Sequence, residues 1–432
     1  MNAQSVPIAQ MRIICCVVAL LVGSQTALCG DGGSTYSILG LGDLRYTPGA
    51  RSVGMGYAGL SLESPQYING MSPASWSMID RTRLEGEALY EGFNSTDGVA
   101  SRFLARLDFH GALLGIPIST DHGIVVVSGF TPYSDVNYDT YTSAAAIGKP
   151  NPITGIPDTL NYQIHQSGLG GLTRAQLGLS WAPGDAISLG ASFNYLFGTI
   201  STEVAQISQN TGTTGGTFTG EETLSGTDFT AGLIFKGFGA ISEALRPLSL
   251  GGVLTTRTNL HTTMQTTYAY LAERDTSVTT YGRTSIPYSF GVGIGYKAGT
   301  RWTMAADYTA QPWNTSDFNG STPIDLRNSH RFSVGVERAE SHEMVATGLD
   351  RIAYRLGFTY DHSYYAPNGD GINEWGVTGG LALPFSGDSH INIALEYGSR
   401  GTTSYSLVKD KIFRMVISLN ISDVWFTRFE EE

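Results

Sequence analysis

The sequence predicts an all-β protein, a transmembrane antiparallel β-barrel of about 14 strands with an N-terminal plug, and three observations carry that prediction. Stretch after stretch alternates apolar and polar residues with period two, the pattern of a strand that shows one face to lipid and the other to water. The polar face is rich in Gly, Ser and Asn, as a wet lumen wall is and the outside of a soluble sandwich is not. No apolar run of membrane-helix length follows the start of the chain, and a mean hydropathy of −0.05 is what a barrel needs and a helical membrane protein does not have.

Arg12 precedes an apolar stretch from Ile13 to Val22, Gly23 to Thr26 turns polar, and Ala27-Leu28-Cys29 offers small residues at the cleavage positions. Residues 1–29 therefore read as a signal peptide, with the mature chain beginning near Gly30. Leu28 argues against lipid modification of Cys29, which wants a small residue before it. With Cys15, Cys16 and Cys29 removed, the mature protein has no thiol, disulfide or Cys metal site. Residues 30–80 do not alternate; this Gly-rich, Pro-punctuated segment cannot span a membrane and is expected as a hatch inside or below the barrel.

Residues 81–432 are the expected barrel, with strands beginning near Thr82, Phe103, His122, Gly171, Ala186, Glu222, Leu248, Tyr281, Thr300, Arg327, Arg351, Gly371, Ser389 and Lys411. In the last of them Phe413, Met415, Ile417, Leu419 and Ile421 point to lipid, while Arg414, Val416, Ser418, Asn420 and Ser422 point to the lumen. Tyr354, Leu356, Phe358 and Tyr360 oppose Ala353, Arg355, Gly357 and Thr359, and Trp302, Met304 and Tyr308 oppose Thr303, Ala305 and Asp307. Phe290, Val292, Ile294 and Tyr296 alternate over glycines.

Tight connections at Pro117 to Asp121, Pro183 to Asp185, Ala298 to Gly299 and Pro384 to Asp388 face the periplasm; Tyr133 to Gly168, Thr202 to Glu221 and His261 to Thr280 are expected as long outer loops. Gly237 to Pro247 reads as a longer turn with a helical turn over Ser242 to Leu245. Tyr288, Trp302, Tyr308, Trp313, Tyr354, Tyr360, Trp375 and Trp425 are expected in interfacial girdles.

A net charge of −12 argues against a nucleic-acid binder. Gly54-Met55-Gly56-Tyr57-Ala58-Gly59 matches the dinucleotide fingerprint, yet no strand precedes it and no long helix follows, so its glycines are read as letting the hatch turn and pack on the wall. Asn368-Gly369-Asp370-Gly371 lacks the first carboxylate of a calcium loop, and His342-Glu343 lacks the second histidine of a zinc site; both read as turns. Arg106, Asp108 and His110 share a lumen face without a paired serine, and solvated lumen charges explain them better than catalysis. No cofactor, metal or enzymatic activity is expected.

Ser37-Ile38-Leu39-Gly40-Leu41-Gly42-Asp43, Gly49 to Gly56, Tyr67-Ile68-Asn69 and Met71 to Trp76 resemble the N-terminus of the FadL-type long-chain fatty-acid transporters of Gram-negative outer membranes, with Ser72-Pro73-Ala74 where that family commonly has Asn-Pro-Ala. Val424-Trp425-Phe426 before a short charged tail is similar to its distant members. The resemblance implies a barrel inserted among outer-membrane lipids by the barrel assembly machinery, which captures a hydrophobic ligand from outside and releases it passively, in many members sideways through the wall.

On that basis the expected capture groove comprises Tyr133, Tyr138, Ile153, Ile156, Leu160 and Tyr162, and the expected gate comprises Gly54, Met55, Gly56, Ser72, Pro73 and Ala74. Each buried methylene of cargo would contribute about 0.8 kcal/mol. Relatives of this barrel type also serve as attachment or shuttle proteins for secreted cargo in a type IX secretion system, the competing expectation.

Overall fold

The structure, a computed structural model, describes residues 32–45, 49–150, 157–208, 215–270, 276–341 and 348–423. They form a closed antiparallel barrel of 14 strands, as expected. The strands are β1 (Thr82–Thr96), β2 (Ser101–Ser119), β3 (Ile124–Pro150), β4 (Pro157–Gly184), β5 (Ile187–Ser208), β6 (Gly216–Phe235), β7 (Leu248–Thr255 and Thr258–Tyr270) and β8 (Thr276–Ile286 and Ser289–Ala298). They continue with β9 (Trp302–Gln311), β10 (Ser329–Arg338), β11 (Ala353–His362), β12 (Asn373–Ser386), β13 (Ser389–Gly401) and β14 (Lys409–Asp423). Each pairs with its neighbour in sequence, and β14 closes on β1 in a continuous register from Thr96↔Lys409 to Thr82↔Asp423.

The alternation decides which face is which. Leu419, Ile421, Leu356, Phe358, Val292, Ile294, Phe332 and Val334 are exposed on the outside, as a lipid-facing band requires, while Ser418, Asn420, Arg355, Thr359 and Asp307 are buried inside. The wall is uneven in height. β9, β10 and β11 have 10 residues each, enough for a tilted bilayer crossing, whereas β3 has 27 and β4 has 28. At a rise of ~3.3 Å per residue β4 is roughly 90 Å long, so this side of the wall stands well above the membrane.

Here the structure corrects the sequence. Apart from residues outside the described set, Tyr133 to Gly168, Thr202 to Glu221 and His261 to Thr280 are not loops but paired strand. Near their base Val136 and Tyr138 turn into an apolar cluster, but farther out Tyr141, Thr142, Ser143 and Asn161 are exposed, so the apolar half of the alternation fades while Thr and Tyr keep a preference for the extended backbone. Trp313 is a second correction: it is fully buried in an apolar cluster at the mouth rather than in a girdle. Gly237–Ala240 and Glu243–Leu245 are short 3-10 turns, close to expectation. Trp425, His342 and Glu343 lie outside the described residues.

Residues 32–79 sit against inward-facing positions of the wall. The helix α1 (Ala50–Gly54) packs on β11, β12, β13 and β14, and the 3-10 helix Pro73–Met78 packs on β4, β5 and β6. Glycines on the wall make room: a Cβ at Gly357 would collide with Met55 and Gly56, one at Gly190 with Pro73, and one at Gly251 with Leu60.

Candidate functional site

Between this segment and the wall lies a cavity of about 160 Å³, open in part to solvent. The N-terminal segment contributes Leu60, Met71, Pro73 and Trp76 to its lining. A narrow apolar strip of Val253, Ile286 and Pro287 is flanked by Thr255, Thr258 and Ser289; Asp307, Gln311, Arg331 and Asp361 come from β9, β10 and β11, and a hydrogen-bonding strip of Arg174, Gln176, Asn194, Asp228 and Thr230 from β4, β5 and β6. The lining is therefore mixed, with apolar patches among polar and charged groups.

Beside it lies an apolar cluster that joins Tyr36 and Leu41 of the N-terminal segment to Leu196, Ile286, Trp313, Tyr364 and Tyr365, and Ile286 belongs to both. Tyr364 packs on Trp313 at 4.5 Å and on Tyr365 at 4.4 Å between ring centroids. An apolar solute there meets surfaces like its own.

On the polar strip, Tyr133 occupies a bulge between Pro132 and Ser134, and the Arg174 guanidinium lies 5.1 Å from the centre of its ring. Among the described residues the Arg174 Nε and the buried Gln176 Nε2 have no hydrogen-bond partner. Asn194 donates to Asp228 at 2.6 Å and Thr258 donates to the same carboxylate at 2.9 Å. A buried donor without a partner costs about 1–3 kcal/mol, so Arg174 and Gln176 are donors in want of an acceptor.

Two groups of lumen charges are paired with one another. Glu91 on β1 accepts from Arg45 at 2.8 Å, Arg414 at 2.6 Å and Arg106 at 3.2 Å, and Arg414 also reaches Glu374 at 2.7 Å. Glu337 on β10 is held between Arg51 of the hatch at 2.7 Å and Arg355 of β11 at 2.6 Å. Burial opposes the charge of Arg45, but Glu91 and Asp135 outweigh it and hold its pKa above the ordinary arginine value. Burial, and next the Glu396 carboxylate, push the Tyr57 phenol far up, so it stays protonated and donates to Glu396 at 2.6 Å.

The expected gate residues fall in two places. Met55 and Gly56 rest on Gly335 and Gly357, directly after Gly54 at the end of α1; Gly56 has φ +66° and its amide donates to Thr378 at 2.9 Å. Ser72, Pro73 and Ala74 open the 3-10 helix against Gly190 and Gly232. The expected groove residues are not together. Tyr133 lines the cavity and Tyr138 is buried in the apolar cluster, while Tyr162 lies half-buried high on β4. Leu160 is also on β4, and Ile153 and Ile156 lie outside the described residues. Sequence reasoning missed Arg174 and Gln176, for which only their shared parity on one strand was a signal.

Arg106 is bound to Glu91 and Asp135 and lies 3.0 Å from Asp108, and His110 lines a second, smaller cavity. Among the described residues no three His, Cys, Asp or Glu side chains converge as a metal site would.

Comparison with solved structures gives the fold. The chain is similar to the monoaromatic hydrocarbon channel CymD, at 12% identity over 90% of this chain and 99% of that one, with a TM-score of 0.56. It is similar to the Ralstonia pickettii toluene transporter TbuX, at 14% identity over 87% and 98% with a TM-score of 0.55. It is also similar to a Pseudomonas aeruginosa FadL homologue, at 13% identity over 88% and 98% with a TM-score of 0.56. The FadL-type resemblance expected from the hatch motifs is thus borne out in the fold. No curated protein sequence matches the chain. A family model does match, over residues 9–430, and on that match the chain belongs to the BamG family.

Proposed function

We propose that this protein is a passive outer-membrane channel for hydrophobic small molecules, and that cargo bearing a carboxylate, such as a long-chain fatty acid, is held with its chain on the apolar strip and its head at Arg174. The observation that carries this reading is a lumen occupied by residues 49–79, leaving a cavity in which the apolar side chains Leu60, Met71, Trp76, Val253 and Ile286 stand beside Arg174, with an apolar cluster beside it, unlike the open aqueous path of a porin. The names of the structural neighbours, a hydrocarbon channel and a toluene transporter, agree with it. Signal-peptide export and an outer-membrane address belong to the same reading.

The first experiment is mass spectrometry of an organic extract of the protein purified in mild detergent, beside an unrelated barrel handled identically. Enrichment of an apolar compound supports the channel; an extract equal to the control removes its main support. Arg174→Gln gives the finer test. It is expected to weaken binding of a fatty acid by about tenfold or more while leaving a neutral aromatic hydrocarbon unchanged, because a charge-assisted hydrogen bond is worth about 1.5–3 kcal/mol. Equal loss for both cargoes would place the carboxylate elsewhere.

The tall wall of β3 to β6 favours a second reading, attachment of a secreted protein at the cell surface, since it offers paired sheet far beyond what a bilayer needs. Co-purification of one stoichiometric secretion partner with no bound lipid would support it over the channel.

A further inference from the structure

The outward face of β9 to β14 is layered at the end away from the tight turns. Tyr308, Phe332, Tyr360 and Trp375 stand side by side across the ladders, one on each strand from β9 to β12, and make an aromatic row. The next row toward the middle of the membrane is aliphatic and aromatic, with Ala306, Val334, Phe358, Val377, Tyr397 and Phe413 running from β9 to β14. One step the other way stand His330, His362 and Asn373. Apolar, aromatic and polar rows in that order are what a barrel wall shows on passing from acyl chains through the interface to the headgroups.

The polar row is basic. His330 and His362 are directly opposed, with ring centroids 6.3 Å apart. Arg327 donates through Nη2 to the exposed Asn373 side chain at 2.6 Å, which brings its guanidinium to the outer face, and it also donates to the carbonyls of Ser363 at 2.9 Å and Ile372 at 2.6 Å. A Cβ at Gly371 would collide with Arg327 Nη1, so this glycine keeps the place of the guanidinium open. On β14, Lys409 and Lys411 are exposed on the same face, and Lys411 pairs with Ser399, which pairs in turn with Trp375. Among the described residues Arg327, Lys409 and Lys411 make no ion pair.

The acids close by in the sequence are engaged elsewhere. Asp361 holds Arg331 at 2.7 Å, Asp410 accepts from Ser34 at 2.6 Å and Ser95 at 2.7 Å, and Glu374 holds Arg400 at 2.9 Å and Arg414 at 2.7 Å. Among the described residues no Asp or Glu takes an outward position on β9 to β13, and on β14 only Asp423 does, at the opposite end of the strand. A chain with a net charge of −12 thus keeps a patch of the opposite sign where its wall meets headgroups. Such a patch attracts anions, and the rows beneath it restrict the choice to an anion with an apolar body.

We propose that this patch is a binding site for a phosphate-bearing lipid of the outer leaflet. The phosphate lies at His330, His362 and Arg327, and the acyl chains lie on the aromatic and aliphatic rows below. The Tyr308 hydroxyl is 2.7 Å from His330 Nδ1; when it donates there, the Nε2 of that ring is left as a donor to the phosphate. Arg327 adds charge-assisted hydrogen bonds, and Lys409 and Lys411 extend the positive edge toward β14. The site rests on the outer-membrane address in the reading above and is independent of what the cavity carries.

The test is native mass spectrometry of the full-length protein in mild detergent with added lipid A. One lipid A per chain is expected, and Arg327→Gln/His330→Gln/His362→Gln is expected to weaken it at least tenfold. Because Arg327 also ties the turn after β11, Lys409→Gln/Lys411→Gln is the second variant, altering two exposed lysines that make no ion pair, with a loss of at least threefold expected. Arg246→Gln, at an exposed position toward the tight-turn end, is the control and is expected to bind like the unaltered protein.

Equal binding by the unaltered protein and both variants overturns the site. Equal binding of lipid A from which the phosphates have been removed overturns it as well, since apolar contact alone then suffices. Inorganic phosphate bound as tightly as lipid A would make this a site for a free anion and overturn the lipid. A protein that binds lipid A through these residues but yields no cargo in its extract keeps this site and loses the channel.

Discussion

The N-terminal segment meets the barrel in two ways, and its two halves differ in what holds them. Residues 50–79 lie on a wall cleared of side chains, with Met55 and Gly56 against Gly335 and Gly357, and are pinned by the enclosed Arg51–Glu337–Arg355 group. Residues 33–45 are held through a two-residue ladder, the enclosed Arg45–Glu91 and Asp43–Arg400 pairs and the burial of Tyr36 and Leu41 in the apolar cluster. Both halves combine close packing with buried charge, but the first rests on glycines of the wall and the second adds backbone pairing and aromatic contacts.

The largest expected effect falls on the first half. Glu337→Ala strands Arg51 and Arg355 without an anion, and removal of one partner of a buried ion pair costs about 3–5 kcal/mol. Thermal unfolding in detergent reads it, and a loss below ~1 kcal/mol would show that water reaches the group. Next comes Gly357→Val, which drives a side chain into Gly56 and is expected to cost about 1–3 kcal/mol and to expose residues 50–79 to protease.

Gly42→Val acts on the other half. Gly42 has φ +88°, and a Cβ there would collide with the Asp135 carbonyl; the left-handed backbone alone costs a branched residue about 1–2 kcal/mol. Exchange is expected to rise over residues 33–45 and not over 50–79; a rise over both would dissolve the distinction between the halves. The smallest is Tyr365→Phe, which removes the 2.7 Å hydrogen bond to Asp43 but leaves Arg400 on that carboxylate, about 1 kcal/mol seen only as faster exchange of residues 33–45.

How much of this the sequence shows depends on whether a residue's surroundings differ from one face to the other. Phe413 to Ile421 could be placed face by face because lipid lies on one side and the lumen on the other. Residues 134–143 could not, since Val136 and Tyr138 turn into the apolar cluster while Tyr141, Thr142 and Ser143 are exposed, and no lipid face marks the strand. Trp313 looks like a girdle residue because its type says amphipathic and only the inward turn after β9 says buried. Gly291, Gly293 and Gly295 were visible as an inward row of glycines, but what they make room for, Leu60 and Leu62, lies more than two hundred residues away. A two-residue strand such as Asp43–Leu44 has no period to detect at all. In the cavity, Tyr133 was singled out by type, while Arg174 gained its meaning only from the ring it meets and from its Nε, which among the described residues has no hydrogen-bond partner.

The closing seam has a consequence for how the molecule is made. β1 and β14 are joined only when Thr82 finds Asp423, and bringing together chain ends 341 residues apart costs about 5 kcal/mol of loop entropy before any bond repays it. Glu91 and Arg414 face each other across that seam, and Arg45 reaches the same carboxylate from within. The hatch thus brings its own cation to the two strands that meet last, and a chain lacking it is expected to linger as an open sheet with both edges bare.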